Sequence, residues 1–225
     1  MPEVIASIDQ ISTESFRSAT MRLEAGTLGI VVTSSIDQGR DFVDTLLGLA
    51  APEQGVVRLL GQPLYELPES RRLALLAQVG HAGGGLISNL KIWENVSLPA
   101  LFHPTSTPDE VEARLIEAIG QLPNKEEWMQ KRLPALPDTL SRYAQRMAGL
   151  IRCAALRPRL LVAEFLLDDL EGEAIGRLVD MLAWLRRKEP PPAVLLLHLG
   201  AATAGHSTLQ SLQPDWMIQL EKPTP

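Results

Sequence analysis

The sequence contains little of several residue types. Aromatic residues make up 4% of its 225 residues, and Cys153 is its one cysteine. A single cysteine cannot form an internal disulfide, so a disulfide framework is excluded. Apolar runs such as Leu160–Ala163 and Val194–Leu197 are far shorter than the roughly 20 residues that cross a bilayer. The N-terminus also lacks the basic and then apolar layout of a secretory signal. We therefore expect a protein of the reducing cytoplasm that reaches a membrane only through a partner.

An excess of basic residues is also missing. Lysine and arginine together number 21 against 27 aspartates and glutamates, which gives a formal net charge of −6. That balance argues against a general polyanion binder, so we expect no nucleic-acid partner. The apolar content of 45% and the charged content of 21% are those of a globular chain and exclude disorder as its main state.

Short apolar runs alternate with longer segments of helical period, which is the pattern of a parallel sheet covered by helices. The fold class predicted is therefore α/β. Strands buried on both faces must be nearly all apolar, and three runs fit: Gly29–Thr33, Leu160–Ala163 and Val194–His198. Residues 55–60 and 216–220 are weaker strand candidates, and residues 1–23 are expected to form an antiparallel edge.

Three helices can be placed from their start and stop signals. Thr107 and Glu110 form a capping box that begins the first helix. The second is expected over about 141–155 and the third over about 172–187. The residues expected to be buried on the third helix are Ile175, Leu178, Val179, Leu182 and Leu185. Because polar, Pro-containing sequence at 103–137 interrupts the alternation of strands and helices, a helical insertion in an α/β core is predicted.

Four segments follow one another in a recognisable order. Residues 23–64 have the strand, loop and helix layout of a phosphate loop, and residues 83–102 read GGGLISNLKIWENVSLPALF. Residues 139–170 read as a signature helix followed by an apolar strand, and residues 193–200 read AVLLLHLG. In this order the segments resemble the ATP-binding subunit of an ABC transporter. Residues 83–102 are most similar to the bacterial phospholipid-trafficking branch of that family.

The resemblance implies an ABC ATPase-like fold of the P-loop NTPase (RecA-like) type. Residues 1–96 and 157–225 would form the α/β core, with a mainly parallel sheet and antiparallel N-terminal edge strands. Residues 97–156 would form a helical subdomain inserted in that core. By the same resemblance, this subdomain and the glycine-bearing loop before it would dock a membrane permease.

The phosphate loop has lost its chemical groups. A working loop reads Gly-x-x-x-x-Gly-Lys-Ser/Thr, because glycines let backbone amides close on the phosphates, the lysine neutralises charge and the hydroxyl holds Mg²⁺. An ungapped count back from Gly48 puts Gln38, Gly39, Arg40 and Asp41 at the Gly-Lys-Ser-Thr positions. The lysine is then absent, and Asp41 adds a negative charge. A slip of one residue would place Arg40 at the lysine position and leave Asp41 in place of the Mg²⁺ hydroxyl.

The Walker B and signature positions differ from the family as well. The Walker B strand should end in an Asp that binds Mg²⁺ and a Glu that activates water, but here it ends in Glu164 and Phe165. Glu164 is interpreted either as a metal ligand or as an ordinary acidic residue at a strand end. Phe165 has no proton acceptor, and loss of a positioned general base slows a reaction by about 10²- to 10⁴-fold. In the signature, Arg142 and Tyr143 replace two glycines, and Ser141 is expected to be a helix cap.

The remaining candidates are few. The count reaches Ala82 at the glutamine-loop position, and Gly83–Gly85 are interpreted as a hinge because no strand-loop-helix frame surrounds them. His198 is the one catalytic position at which this sequence has the residue type of the family. Phe16 is the one aromatic candidate for stacking on adenine.

Cys153 is expected in the core. The histidines lack metal-ligand spacing, so no metal site is predicted; they are His81, His103, His198 and His206.

The degenerate positions lead to one favoured hypothesis and two alternatives. We expect neither ATP nor Mg²⁺ to be bound at the nucleotide-site positions, which are Gly39, Arg40, Asp41, Ala82, Ser141, Glu164, Phe165 and His198. The favoured hypothesis is a catalytically silent pseudo-ATPase subunit of a membrane transport system, with a lipid-related cargo. Its partner would be a membrane permease or an active ATPase paralogue, and it would lie at the inner face of a bacterial membrane.

The first alternative is a divergent ATPase that uses Arg40, Glu164 and His198. The second is a stand-alone cytoplasmic binding module. Under the favoured hypothesis, Phe165 is buried either by local collapse of the phosphate loop or by a partner. Collapse is the expectation, since Phe165 ends a central strand beside a loop without ligand.

Overall fold

The computed structural model describes residues 2–81, 83–102, 106–200, 209 and 212–223. Within these ranges the strands form two sheets. The strands are β1 (Val4–Ser12), β2 (Ala19–Glu24), β3 (Leu28–Thr33), β4 (Gln54–Leu59), β5 (Gln62–Pro63), β6 (Leu76–Val79), β7 (Leu160–Glu164), β8 (Ala193–Leu199) and β9 (Trp216–Gln219). The α/β class predicted from the sequence is confirmed.

The larger sheet is parallel and has the strand order β6-β7-β8-β3-β9. All residues of β3 and β7 are buried, as expected for central strands covered on both faces. The second sheet is antiparallel, has the order β2-β1-β4-β5 and includes the predicted N-terminal edge. The strand β6 is not apparent from the sequence, because the preceding helix runs into it at Leu75 without turn residues.

The helices follow the strands along the chain. They are α1 (Ile36–Leu47), α2 (Glu69–Leu75), α3 (Ile92–Leu101), α4 (Pro108–Gly120), α5 (Lys125–Glu127), α6 (Arg142–Leu156) and α7 (Glu173–Arg186). Short 3-10 turns lie at Leu64–Glu66 and Pro137–Thr139, and a π turn lies at Trp128–Arg132. Helices α3, α4 and α6 pack against one another beside the parallel sheet.

Two of the three predicted helices begin at side-chain caps, and α7 begins after Gly172 without one. Glu110 donates its backbone N–H to the Thr107 hydroxyl at 3.3 Å, and the Glu110 carboxylate accepts the Thr107 N–H at 2.9 Å. Ser141 caps α6 by accepting the Ala144 N–H at 3.3 Å. The burial expected for α7 is only partly right. Leu178, Leu182 and Leu185 are buried, whereas Ile175 and Val179 are partly exposed at the edge of the core.

Two further expectations concern Cys153 and the membrane. Cys153 is fully buried, and that burial raises the pKa of its thiol to about 12. Across the described ranges, no helix combines the length and the apolar character needed to cross a bilayer.

His103 and His206 lie outside the described residues. Among the residues that are described, no three acidic, histidine or cysteine side chains cluster as metal ligands would.

Candidate functional site

The candidate site lies where β3, β7 and β8 end and α1 begins. In open α/β sheets, ligands bind at the carboxyl ends of the strands, and phosphates bind at a helix N-terminus. Only Ser34 and Ser35 separate β3 from α1, and the Ser35 hydroxyl caps the helix by accepting the Gln38 N–H at 3.1 Å. The ungapped count places residues 36–38 in the phosphate loop before the lysine position, but these residues form the first turn of α1.

Gly39 and Phe165 are packed directly against each other. A Cβ atom built at Gly39 would lie 2.4 Å from Cζ of Phe165 and 3.3 Å from a methyl carbon of Leu197. Phe165 is only 1% exposed, so it is buried within the chain. The Cβ atom of a lysine at position 39 would therefore overlap the edge of the Phe165 ring. The burial of Phe165 within a single chain agrees with the expected local collapse of the loop.

Gln38 occupies the interior of the same loop. Its side-chain oxygen accepts hydrogen bonds from the Ser34 N–H at 2.8 Å and from the Ser34 hydroxyl at 3.1 Å. Its side-chain nitrogen donates to the Ser15 carbonyl at 3.0 Å, and the residue is 3% exposed. The backbone N–H that a phosphate loop would offer to a phosphate is thus bonded to a neutral amide of the chain itself.

Asp41 and Phe16 connect this loop to the segment between β1 and β2. The Thr13 hydroxyl donates a hydrogen bond to the Asp41 carboxylate. Phe16 is fully buried and packs edge-to-face on Phe42, with ring centroids 5.5 Å apart. The one aromatic candidate for stacking on adenine therefore lies in the core and presents no ring face to a ligand.

Arg40 points away from this interior. Its side chain is 61% exposed and lies 3.9 Å from Asp37, one turn earlier on α1. The residue that faces the interior beside Phe165 is Gly39, which matches the ungapped count. The one-residue slip, which would put Arg40 at the lysine position, does not agree with these contacts.

Glu164 ends β7 and is buried. Gln78 of β6, the neighbouring strand, donates a side-chain hydrogen bond to the Glu164 carboxylate. Phe165, the next residue, has a left-handed backbone with φ of 47° and packs edge-to-face on His81, with ring centroids 5.1 Å apart. Gln78 was missed by sequence reasoning, although it is the one polar residue in the run Leu75–Val79.

His198, which the resemblance placed at a catalytic position, is paired with a carboxylate. Its Nδ1 atom lies 2.6 Å from Oδ1 of Asp168, and Oδ2 of Asp168 accepts the Leu199 N–H at 2.8 Å. Asp168 was not among the sequence candidates. The signal available for it was its position shortly after β7, because the carboxyl ends of neighbouring parallel strands meet at the same sheet edge.

The signature residues lie at the start of α6. Ser141 is its cap, as expected, and Arg142 is exposed and lies 3.3 Å from Asp169. Tyr143 is partly buried against the core, and Ala82 lies outside the described residues. Gly39 of α1 and Phe165, just after β7, thus meet at one sheet edge, where Glu164 ends β7 and His198 lies near the end of β8. Asp41 lies on α1, and Ser141 caps α6.

The glycines at 83–85 have left-handed backbones and lie against α6. A Cβ atom at Gly84 would lie 2.6 Å from the backbone oxygen of Gln145. Arg152 of α6 donates to the carbonyl oxygens of Gln78, Gly84 and Gly85 at 3.0, 3.0 and 2.6 Å. These glycines permit close packing of the loop on a helix, a role that the hinge interpretation did not include.

Comparison with known proteins places these features in a family. No protein-family model matches the sequence. The chain is 32% identical over 158 residues to the uncharacterized ABC transporter ATP-binding protein YbbA of Escherichia coli. That alignment covers 68% of this chain and 66% of YbbA, so the match spans about two thirds of the relative's length. The lipoprotein-releasing system ATP-binding protein LolD 1 of Rhodopirellula baltica is 26% identical over 188 residues, with 81% of this chain and 78% of LolD 1 covered.

Solved structures give the same fold. The ATP-binding subunit of an ABC transporter matches with a TM-score of 0.77 and 17% identity, over 96% of this chain and 86% of that chain. A dimeric ATP-binding cassette in a post-hydrolysis state, bound to ADP and Pi, also has a TM-score of 0.77, at 14% identity over 96% and 94% of the two chains. The fold is that of the P-loop NTPases of ABC transporters. With the identity to YbbA, the conclusion is that the chain belongs to the family of ABC transporter ATP-binding subunits.

Proposed function

We propose that this chain is a non-catalytic, pseudo-ATPase member of its family that acts in a membrane transport system through protein contacts. The observation that carries the proposal is the contact between Gly39 and Phe165. On the ungapped count, neither the lysine position nor the catalytic glutamate position carries the family's residue, and the ring of Phe165 fills the space that a side chain at position 39 would need. Gly39 and Phe165 therefore fit each other in shape, and neither of them supplies the charged group that the family has at its position.

The residues at this site do not fit MgATP. Gln38 satisfies the Ser34 N–H, Asp41 carries a negative charge beside the loop, and the Arg40 side chain is directed to solvent. Charge-assisted hydrogen bonds contribute about 1.5 to 3 kcal/mol each, so loss of three would move a micromolar site, near −8 kcal/mol, to millimolar or weaker. We derive no catalytic step through ATP or Mg²⁺ for this reason.

Hydrolysis lacks a base as well. Phe165 has no proton acceptor at the position of the water-activating carboxylate, and its ring contacts Gly39 and His81. The nearest remaining carboxylate on β7, that of Glu164, is buried and accepts a hydrogen bond from Gln78. This arrangement orders the end of the sheet without presenting a base to solvent.

The partner in this proposal is a membrane permease or an active ATPase paralogue, and the location is the inner face of a bacterial membrane. The helices α4 and α6, which lie within the proposed subdomain at 97–156, would supply the docking face together with α3, which begins before that subdomain. A lipid-related cargo is supported by the lipoprotein-releasing relative LolD 1. The phospholipid-trafficking type rests on the resemblance of residues 83–102. Other relatives are named for methionine import, so the cargo is the least constrained part of the proposal.

A divergent nucleotide-binding subunit is the second candidate. It is favoured by the names of the relatives YbbA and LolD 1, both of which are ATP-binding proteins, and by the hydrogen-bonded pair of Glu164 and Gln78 at the end of the sheet. A stand-alone binding module is the third candidate, and co-purification of the chain from detergent-solubilised membranes would separate it from a transporter subunit.

Isothermal titration of the full chain with ATP and Mg²⁺ tests the proposal. We expect no saturable heat that corresponds to a dissociation constant tighter than millimolar. A sub-millimolar constant, together with release of phosphate, would contradict the proposal and support the divergent ATPase.

A further inference from the structure

An open groove lies between α7 and the end of α4. Its volume is about 730 Å³, and we call it the α7 groove. The helix α7 lines it from Glu173 to its C-terminal end, and residues 120–123 form the other wall. Acidic and basic side chains alternate along α7, so no charge of one sign converges on a point. The α7 groove therefore suits a surface with charges of both signs better than a small ion.

One face of α7 borders the groove. Gly176, Asp180, Ala183 and Arg187 all line it, and their spacings of four, three and four residues return to the same side of a helix. Gly176, Asp180 and Arg187 are exposed, and a Cβ atom at Gly176 would meet no atom within 4 Å. The buried leucines of α7 belong to the opposite side of the helix. Among the described residues, this face of α7 packs against no other element.

Two charges on this face are unpaired. Asp180 and Arg187 are two turns apart, which places them about 10 Å from each other along the helix axis. Neither side chain has a hydrogen bond or an ion pair within the part of the chain that the structure describes. Glu173 and Arg177, on the flank of the same helix, are paired with each other. The face thus presents one free carboxylate and one free guanidinium, with Ala183 between them.

We propose that a second copy of this chain occupies the α7 groove, with the two α7 helices antiparallel about a two-fold axis that passes between positions 183 and 184. Residues at equal distances before and after this axis face each other. Asp180 of each copy then faces Arg187 of the other copy, so both free charges of both copies are paired. A two-fold interface requires this kind of self-complementary surface.

The residues beside the axis favour close contact. Ala183 has a small side chain, and the distance between two packed helices depends on the side chains at the crossing point. Trp184 lines the groove and is partly exposed, while Lys188 covers one face of its ring at 3.9 Å from the centroid. Tryptophan is enriched among the residues that contribute most to protein interfaces. The inference does not depend on whether the loop at Gly39 binds nucleotide.

The strength of the dimer follows from its size. One helix from each copy, with the short wall at 120–123, is smaller than the interface of a stable complex. The ion pairs lie at the surface, so salt screens them. We therefore expect a dissociation constant between micromolar and millimolar that rises with the concentration of NaCl.

Sedimentation equilibrium of the full chain without nucleotide tests the proposal, at protein concentrations from micromolar to millimolar. Asp180→Arg places like charges opposite each other twice, so it should weaken the dimer by about tenfold or more. Arg187→Asp should do the same, and the two changes together should restore the dimer. The matched control is Glu112→Arg, which makes the same change of charge on an exposed residue of α4 outside the groove and should have no effect.

Crosslinking locates the axis. Ala183→Cys should form a disulfide between copies on oxidation, whereas the native Cys153 is fully buried. Ala113→Cys, at an exposed alanine of α4 outside the groove, is the control and should not crosslink.

Three outcomes would overturn the inference. The first is a chain that stays monomeric at millimolar concentration. The second is a dimer that Asp180→Arg leaves unchanged, or that Glu112→Arg weakens equally. The third is a failure of the combined Asp180→Arg and Arg187→Asp variant to restore the dimer, since the two charges would then not face each other.

Discussion

Gln38 donates a hydrogen bond of 3.0 Å from its side-chain nitrogen to the carbonyl oxygen of Ser15. This bond joins the first turn of α1 to the segment between β1 and β2. The other end of the same amide accepts the Ser34 N–H. One neutral side chain therefore bridges the loop at the end of β3 and the segment that contains Phe16, and it takes up the backbone donor on which phosphate binding would depend.

The bridge should be important for stability. Gln38→Ala leaves the Ser34 N–H and the Ser15 carbonyl without their partner in a buried place, so the free energy of unfolding should fall by about 1–3 kcal/mol. Urea denaturation at equilibrium measures this change. The matched control is Gln121→Ala, an exposed glutamine at the end of α4, which should change the free energy by less than about 0.5 kcal/mol. Equal effects of the two variants would contradict the bridging role.

The contact of Gly39 with Phe165 leads to a second prediction. Gly39→Ala places a methyl group 2.4 Å from Cζ of a buried ring, and overpacking of this kind lowers the free energy of unfolding by about 1–3 kcal/mol.

Gly176→Ala is the control for that substitution. Gly176 lies in α7, and a Cβ atom there would have no neighbour within 4 Å. Alanine is the better helix former, so this variant should gain about 0.5–1 kcal/mol. In the Gly39→Ala background, Phe165→Leu should recover part of the loss. A Gly39→Ala variant as stable as the native chain would show that the ring does not occupy this space.

A third prediction concerns activity. Phe165→Glu alone should not produce ATP hydrolysis, because the phosphate-binding defects at Gln38, Gly39 and Asp41 remain and such groups act as a unit. Release of phosphate from MgATP is the measurement, with Phe165→Leu as the control for ring removal. Turnover on the scale of seconds in Phe165→Glu would mean that the loop has been aligned wrongly.

A fourth prediction follows from the buried thiol. Burial raises the pKa of Cys153 from 9.0 to about 12. Above pH 9 the unfolded chain loses this proton and the folded chain keeps it, so stability is full below pH 9 and is lost as the pH rises towards 12. The free energy of unfolding in urea should therefore fall more between pH 8 and pH 10 for the native chain than for Cys153→Ala. Equal losses would show that the thiol is accessible.

Local signals in the sequence predicted much of the fold. The nearly all-apolar runs of β3, β7 and β8 and the capping box at Thr107 each depend on residues close in sequence, and each lies where expected. The strand β6 was missed, because a helix runs into it without a turn. The boundaries of the inserted subdomain stay a prediction.

The sequence predicted the candidate site only where the residue type at a single position decides the chemistry. On the ungapped count, glycine at the lysine position and phenylalanine at the position of the base can be read from the sequence. Their mutual packing cannot, because the two residues are more than a hundred positions apart and meet only once the parallel sheet has formed. The hydrogen bonds of Gln38 to Ser15 and of His198 to Asp168 join residues 23 and 30 positions apart. They too form only once the fold brings different elements together.

The central claim is that the chain's own side chains fill the place of the nucleotide. An experimental structure of the full chain determined in millimolar MgATP tests it most directly. We expect the Phe165 ring against Gly39, the Gln38 amide on Ser34, and no head-to-tail dimer around nucleotide. A displaced Phe165 ring with phosphate at the Ser34 N–H, or a residue near Gly39 facing Ser141 of a second copy across trapped nucleotide, would contradict the account.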